Sequence, residues 1–402
     1  MNDEELKARL GEVPLPDHKE AEDRAWALVR STYESELHTQ AVEEGSSKGV
    51  AVHRPDFRGP AFRLWGLLAV LAAGIIVISP ARALVADWVK DVVRGPQVES
   101  TKVSTSPPGG GRLLVQNQSG TWVTKDDGSR RLLGEFRDSV WSPKGRFVAA
   151  VDDHQLVALT PDGELRWALT RPSPPMLPSW NSPDGFRIAY IERRQLRLVA
   201  GDGTGDTVLA SGAEAVRPAW RPGLTHDLAF ARPRHRVEVL NADSGRRLFT
   251  RSMPGSIRGL QWSTDGSRLL VWTNRSVTVL DSRGHSVWDY ASKPGKTVET
   301  AGVRPASAQV FVLERGRQTQ AILTGPGERT SVVIAARSLS DPIWSPNGRR
   351  LMVAWPEADQ WLFLRGRNLS RVDALGDISQ QFSPGAGERA RFPTATGWCC
   401  TR

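Results

Sequence analysis

Residues 262–281, WSTDGSRLLVWTNRSVTVLD, contain the local pattern that decides the fold of this chain. A Trp precedes a short turn that contains Asp265 and Gly266, and two apolar runs, RLLVW and SVTVL, follow the turn. Asp side chains support such turns by hydrogen bonds, and Gly adopts the positive φ that a tight turn requires. Apolar and β-branched residues dominate both runs, which predicts two β-strands joined by a hairpin.

The same pattern recurs every 38 to 42 residues between residues 141 and 382. Each copy places one large or apolar residue before a turn and a strand-like run after it. A thin sheet cannot bury both of its faces alone, so such repeats must stack, and the large residue is placed to fill the space between neighbouring sheets. Repeats of about forty residues with four short strands predict the blades of an all-β propeller. The signature positions are Trp141, Trp180, Trp220, Trp262, Val303, Trp344 and Phe382.

The repeats predict a β-propeller over residues 112–385 and a C-terminal tail over residues 386–402. Three strand-like runs precede the first signature, and one run, beginning at Ile378, has no blade after it. We therefore expect the C-terminal run to complete the N-terminal blade and close the ring, which removes exposed sheet edges. Seven blades is the count, and six blades with a leftover segment is the alternative. The altered turns after Trp220 and Val303 predict the two most irregular blades.

The signature, Trp-Ser-Pro-Asp/Asn-Gly before a strand, resembles the TolB-type, WD-like propeller repeat. The resemblance covers about residues 112–385 and implies a fold rather than a function. The stretches VALTPDGELRW and VTVLDSRGHSVW also resemble quinoprotein-type propeller repeats, although less completely.

One segment outside the repeats is long and apolar enough to cross a membrane. Residues 62–81, FRLWGLLAVLAAGIIVISPA, contain a single charge, Arg63, and a helix of that length spans about 30 Å, the thickness of the hydrocarbon core. About sixty polar residues precede it, which is too many for a cleaved signal peptide. We predict an uncleaved single-pass anchor in the membrane lipid, with the N-terminus in the cytoplasm and the propeller outside it.

Two further helices are predicted beside the anchor. Residues 17–36 open with a capping-box pattern and have an apolar stripe, and residues 82–94 are amphipathic. The first helix either binds a cytoplasmic protein partner, as part of an acidic segment over residues 1–61, or rests as a tail on the membrane. The second lies along the membrane interface or packs under the propeller. Residues 95–111 have the composition of a linker.

Charge and cysteine content exclude several classes of protein. The net charge is +9, yet residues 1–48 alone carry −6, so the remainder is strongly basic. The basic residues are scattered without a recognition motif, which argues against nucleic acid as a partner. Cys399 and Cys400 cannot form a disulfide framework, and neighbouring cysteines do not easily reach disulfide geometry. They are either a redox pair or tail residues without a role.

We predict no catalytic, cofactor-binding or metal site, because the sequence has no nucleophile elbow, HExxH zinc helix, phosphate loop, EF-hand loop or dinucleotide fingerprint, and the seven His are scattered. The turn residues Asp162, Asp184 and Asp265 are interpreted as structural. Two arginine clusters either mark a binding face or are ordinary charges on exposed strands. They are Arg193, Arg194 and Arg197, and Arg232, Arg234 and Arg236.

The sequence thus favours a non-catalytic propeller, outside the cytoplasm, that binds a protein, polymer or envelope ligand. One alternative is a membrane regulator that acts through its N-terminal segment, which resembles anti-sigma proteins in layout only. The other alternative is a quinoprotein-like propeller enzyme.

Overall fold

The computed structural model describes residues 106–382 and 391–400. In these ranges, seven antiparallel sheets of four strands each form the blades of a propeller, which confirms the all-β, seven-bladed prediction. No helix in the described ranges is long and apolar enough to cross a membrane. The predicted helices at residues 17–36, 62–81 and 82–94 lie outside these ranges.

The strands follow the chain from the innermost to the outermost position in blades 2 to 7, whereas blade 1 combines both ends of the domain. Blade 1 contains β28 (Thr394–Cys399), β1 (Arg112–Asn117), β2 (Gly120–Thr124) and β3 (Arg130–Gly134); blade 2 contains β4 (Asp138–Trp141), β5 (Val148–Val151), β6 (Gln155–Leu159) and β7 (Leu165–Thr170). Blade 3 contains β8 (Met176–Trp180), β9 (Arg187–Glu192), β10 (Gln195–Ala200) and β11 (Thr207–Ser211); blade 4 contains β12 (Ala219–Trp220), β13 (Asp227–Arg232), β14 (Arg236–Asn241) and β15 (Arg247–Ser252). Blade 5 contains β16 (Ile257–Trp262), β17 (Arg268–Thr273), β18 (Ser276–Asp281) and β19 (Ser286–Ala291); blade 6 contains β20 (Thr297–Val303), β21 (Val310–Arg315), β22 (Thr319–Thr324) and β23 (Ser331–Ala336). Blade 7 contains β24 (Ser340–Trp344), β25 (Arg350–Trp355), β26 (Gln360–Arg365) and β27 (Arg371–Leu375).

A separate hydrophobic cluster fills each of the seven spaces between neighbouring blades. Strand β5 shows how one strand serves two of them. Val148 and Ala150 point into the cluster shared with blade 1, and Ala149 and Val151 point into the cluster shared with blade 3. Successive side chains of a strand alternate between its faces, so the nearly continuous apolar run buries both sides of the sheet.

The signature tryptophans all end the innermost strand of their blade and pack toward the preceding blade. In each case the next residues form the turn that leads to the second strand. The tryptophans at this position are Trp141, Trp180, Trp220, Trp262 and Trp344, at the ends of β4, β8, β12, β16 and β24.

The turn departs from the signature in blades 4 and 6, where Arg replaces Ser. Arg221 of blade 4 reaches into blade 5, where its guanidinium lies 5.4 Å from the ring centroid of Trp262 and its Nε donates to the Gly266 carbonyl at 2.7 Å. The substitution therefore adds a contact between blades. Blade 4 has the shortest innermost strand, whereas blade 6 has a full one. In blade 6, Arg304 makes the same two contacts with the next blade, to the ring of Trp344 and the carbonyl of Gly348 in blade 7.

The ring closes differently from the sequence-based expectation. Phe382 follows a short helix, Ile378–Gln381, instead of ending a strand, and its side chain is buried against Trp122 and Trp361. The closing strand is β28, which lies in the segment predicted to be a tail. Trp398 takes the position expected for Phe382, because it pairs with Leu113 as Trp262 pairs with Leu269.

Cys399 ends the closing strand, and a disulfide joins it to the next residue, Cys400, contrary to the expectation from their adjacency. Cys399 belongs to the cluster between blades 1 and 2. Gly145 in the turn of blade 2 lies against both sulfurs, since a Cβ at this residue would stand 2.1 Å from each Sγ. A side chain at residue 145 would therefore displace the disulfide.

Candidate functional site

The antiparallel order of the strands separates the loops onto two ends of the propeller. One end, the signature face, carries the turns after the first and third strands of each blade. The other end, the opposite face, carries the hairpins between the second and third strands and the connections between blades. Binding residues concentrate on the loops of rigid scaffolds, so a binding site is expected on one of these two faces.

Arginines occupy the hairpin tips of four consecutive blades on the opposite face. All of them are exposed, and none has a side-chain partner in the described part of the chain. Together they form what we call the basic arc. Its members are Arg193 and Arg194 in blade 3, Arg234 in blade 4, Arg275 in blade 5 and Arg317 in blade 6.

Three arginines of the basic arc lie in tight turns with positive φ. Arg193 and Arg194 form the two-residue turn between β9 and β10 with φ values of 47° and 63°, and Arg234 has a φ of 63°. Two residues with positive φ are typical of the tight turns that match the twist of a hairpin. Such positions cost strain for residues other than Gly, Asn and Asp.

The charge of the opposite face changes sign at both ends of the basic arc. The hairpin tip of blade 2 carries Asp153, which pairs with Arg137, and the corresponding loop of blade 7 carries Glu357. The face is therefore polarised, with blades 3 to 6 basic and blades 2 and 7 acidic at their tips. A protein surface with the reverse pattern would bind in one orientation.

Only part of the two sequence-predicted arginine clusters contributes to this arc. Arg197 donates to Asp206 at 2.6 Å, and Arg232 donates to Glu238 at 3.2 Å, so both are committed to ion pairs inside their own blades. Arg275 has no arginine near it in the sequence, and Arg317, which follows Arg315 by two positions, was in neither predicted cluster.

Arg217, just before the innermost strand of blade 4, makes a long-range contact on the opposite face. Arg217 of blade 4 binds both carboxylate oxygens of Asp138 in blade 2, at 2.6 and 2.8 Å, and also donates to the Pro178 carbonyl in blade 3. One side chain thus connects the inner strands of three blades. Asp341 occupies the same strand position in blade 7, where burial raises its pKa to about 6.

On the signature face, His226 links blades 3 and 4. Its Nδ1 lies 2.8 Å from Asp243, and its Nε2 lies 3.6 Å from Asp184. Asp184, and then Asp243, raise the pKa of His226 to about 9. The imidazole is therefore charged at neutral pH and holds the two carboxylates together.

We expect His226→Ala to destabilise the protein by roughly 2 kcal/mol at pH 6, because it removes charge-assisted hydrogen bonds. A folded pKa of about 9, above the ordinary value of about 6.5, gives stability that is complete below pH 6.5 and is lost as the pH rises through 9. Urea unfolding at pH 6, 7.5 and 9.5 measures the gap between the two proteins. His154→Ala, on an exposed tip, is the control. A gap that is constant or widens toward pH 9.5 contradicts this assignment.

The turn aspartates have structural partners. Hydrogen bonds from Ser263 and Ser267 lower the pKa of Asp265 to about 2, and Asp162 pairs with Lys125 at 2.6 Å. Across residues 106–382 and 391–400, no group of three His, Cys, Asp or Glu side chains is arranged to hold a metal ion.

Comparison with known proteins shows the fold. No protein-family model and no curated protein matches the sequence. Among solved structures, the C-terminal WD40 domain of Sif2 is similar with a TM-score of 0.50 and 14% identity, over 63% of this chain and 78% of that one. A chain of the mitotic checkpoint complex is similar with a TM-score of 0.51 and 15% identity, over 78% of this chain and 99% of that one. At these identities the likeness shows a WD40-type β-propeller.

Proposed function

We propose that this chain is a membrane-anchored, non-catalytic scaffold that binds an acidic protein partner through the basic arc. Residues 62–81 are the anchor, residues 1–61 lie in the cytoplasm and can dock a second protein, and the propeller lies outside the cytoplasm. The hydropathy of residues 62–81 supports the anchor, and the WD40-type fold supports a binding role, since one structural neighbour belongs to a multi-protein complex.

The single observation that carries the proposal is the repetition of unpaired, exposed arginines at one structural position in four consecutive blades. Other arginines of the domain, such as Arg197 and Arg232, form ion pairs with carboxylates of their own blade. Unpaired charges of one sign on adjacent loops raise the local concentration of an oppositely charged partner and orient it as it approaches.

One experiment tests both the role of the basic arc and the side of the membrane on which the propeller lies. Cells that produce the full chain are treated with a membrane-impermeant cross-linker, and the partner cross-linked to the propeller is identified. We expect the triple variant Arg194→Gln, Arg234→Gln and Arg317→Gln to reduce its yield roughly tenfold, because three rim charges contribute about 0.5 kcal/mol each.

The matched control removes three exposed arginines from the signature face. This triple variant, Arg246→Gln, Arg283→Gln and Arg329→Gln, changes the net charge equally and should keep the wild-type yield. Equal losses in both variants would indicate nonspecific attraction and contradict the basic arc. If the impermeant reagent captures nothing from intact cells but captures a partner after lysis, the proposed location is wrong.

A further inference from the structure

A cavity of about 800 Å³ opens between blades 6 and 7 on the signature face. Its walls are the first and third turns of both blades. Five arginines line it and only one carboxylate, that of Glu328, opposes them. We call this cavity the arginine pocket. Its arginines are Arg304, Arg349, Arg350, Arg365 and Arg367.

Two of these arginines are held by the fold. Arg304 donates to the carbonyls of Gly348 at 2.8 Å and Arg367 at 2.9 Å, so it ties the turns of blade 7 to blade 6. Arg365 pairs with Asp373 at 3.0 Å. These contacts build the walls of the pocket and leave the other three guanidiniums for a ligand.

The remaining arginines offer donors that the described part of the chain does not use. Arg349 and Arg367 are exposed and have no side-chain partner there. The Nε of Arg350 is buried without a hydrogen-bond acceptor. Glu328 lies 3.4 Å from Gln309 instead of pairing with an arginine. With Glu328 and the Asp373 that pairs with Arg365 both counted, the five arginines leave a net charge of +3, and Arg349 and Arg367 are free, forked donors.

This donor set matches phosphate. A guanidinium presents parallel N–H groups that fit two oxygens of a phosphate, and several guanidiniums around one anion are typical of phosphate recognition. Elsewhere on the signature face some arginines pair with aspartates, as Arg221 does with Asp227 at 3.1 Å and Arg187 with Asp243. Five arginines around a single cavity occur at blades 6 and 7.

The path of the chain connects this pocket with the membrane anchor. Residues 106–111 lead into β1 on the signature face, and Gly109 lies directly against the Arg350 guanidinium, since a Cβ there would stand 2.2 Å from it. The predicted anchor precedes this entry point by about 25 residues in the sequence. The anionic groups nearest to an anchored chain are the phosphates of lipid headgroups.

We propose that the arginine pocket binds the phosphate of an anionic phospholipid headgroup. The inference rests on the proposed function for the membrane anchor and leaves the basic arc, on the opposite face, free for the protein partner.

The test uses the purified full chain in neutral detergent, so it depends neither on a bilayer nor on a protein partner. The chain is titrated with short-chain phosphatidylglycerol below its micelle concentration, and the rise in the midpoint of thermal unfolding gives the affinity. We expect the double variant Arg349→Gln and Arg367→Gln to bind at least tenfold more weakly than the wild type. Short-chain phosphatidylcholine, which has no net charge, should bind at least tenfold more weakly to the wild type.

The control variant Arg234→Gln and Arg317→Gln removes two charges from the opposite face and should keep the wild-type affinity. Equal affinity for inorganic phosphate and phosphatidylglycerol would assign the pocket to a free anion and overturn the lipid assignment. Absence of binding, or equal losses in both double variants, would overturn the proposal altogether. None of these results depends on the cross-linking outcome, so the scaffold proposal and the pocket fail separately.

Discussion

Removal of residues 391–402 should leave the propeller unable to close, with loss of the cooperative unfolding transition of the domain. The deleted segment contains β28, the innermost strand of blade 1, which pairs with β1 from Arg112 to Gln116. Without it, β1 exposes its hydrogen-bonding edge, and an unpaired edge favours aggregation. Blade 1 also loses the strand that contacts the inner strands of blades 2 and 7.

A single substitution tests the same closure in a milder form. Trp398 is 7% exposed, lies edge-on to Phe363 with ring centroids 5.6 Å apart, and donates its indole N–H to the Gly110 carbonyl at 3.1 Å. Because Trp398→Ala removes a large buried side chain, we expect it to lower the free energy of unfolding by about 4 kcal/mol. Urea unfolding followed by circular dichroism measures the loss.

The control for Trp398 is another tryptophan outside the closing strand. Trp288 lies on the outermost strand of blade 5, half-buried and stacked on Tyr290, so Trp288→Ala should cost clearly less. Gel filtration of the truncated chain tests the exposed edge through its oligomeric state. A truncated chain that remains monomeric and unfolds within the error of the wild type would show that β28 does not hold the ring closed.

The repeat made the fold predictable because its information is local. Turn chemistry and apolar alternation are both encoded within about twenty residues, as in WSTDGSRLLVW, and every copy reinforces the same register. The tryptophan of each copy then fills the space between neighbouring sheets, and no signal from elsewhere in the sequence is needed to place it there. This local consistency is why seven blades could be counted before any contact between them was known.

The closing strand was not predictable by the same means. TATGWC over Thr394–Cys399 is not followed by the Ser-Pro-Asp/Asn-Gly turn of the signature, and the 382 position offered a closer match at the expected spacing. Pairing between β28 and β1 joins residues almost 290 positions apart. Pairing between residues so far apart in the sequence cannot be recognised from a local sequence pattern.

The residues of the candidate sites also differ in whether local sequence could reveal them. Arg193 and Arg194 stand side by side in the sequence, so they could be suspected, whereas Arg275 and Arg317 join them only when consecutive blades align their hairpin tips. Arg197 fitted the sequence cluster but is committed to Asp206. Which arginine is free depends on the partner that the fold places beside it, and the sequence does not specify that.

The second large effect is expected at a charge network between blades 2 and 3. Asp206 accepts hydrogen bonds at 2.6 Å from each of Arg171, Arg197 and Tyr190. Arg171 also binds Glu192, at 2.6 Å. The four charged side chains are between 3% and 15% exposed, so two arginines and two carboxylates balance one another away from water.

Asp206→Ala should therefore lower the free energy of unfolding by about 4 kcal/mol, because removing one member of a buried ion pair leaves an uncompensated charge that the fold still keeps from water. Two guanidiniums would then share the single carboxylate of Glu192. Burial, and then Asp206, raise the pKa of Tyr190 above its ordinary value, so the variant should also lower the pKa of that phenol. Urea unfolding and a spectroscopic titration of tyrosine measure the two effects.

Glu164→Ala provides the matched control in the adjoining blade. Glu164 pairs with Arg166 at 3.0 Å, but its side chain is 66% exposed, and exposed pairs contribute under about 1 kcal/mol. The comparison isolates burial, because each variant removes one carboxylate from an arginine. Similar small losses for Asp206→Ala and Glu164→Ala would mean that water reaches the network and that these four charges do not hold blades 2 and 3 together.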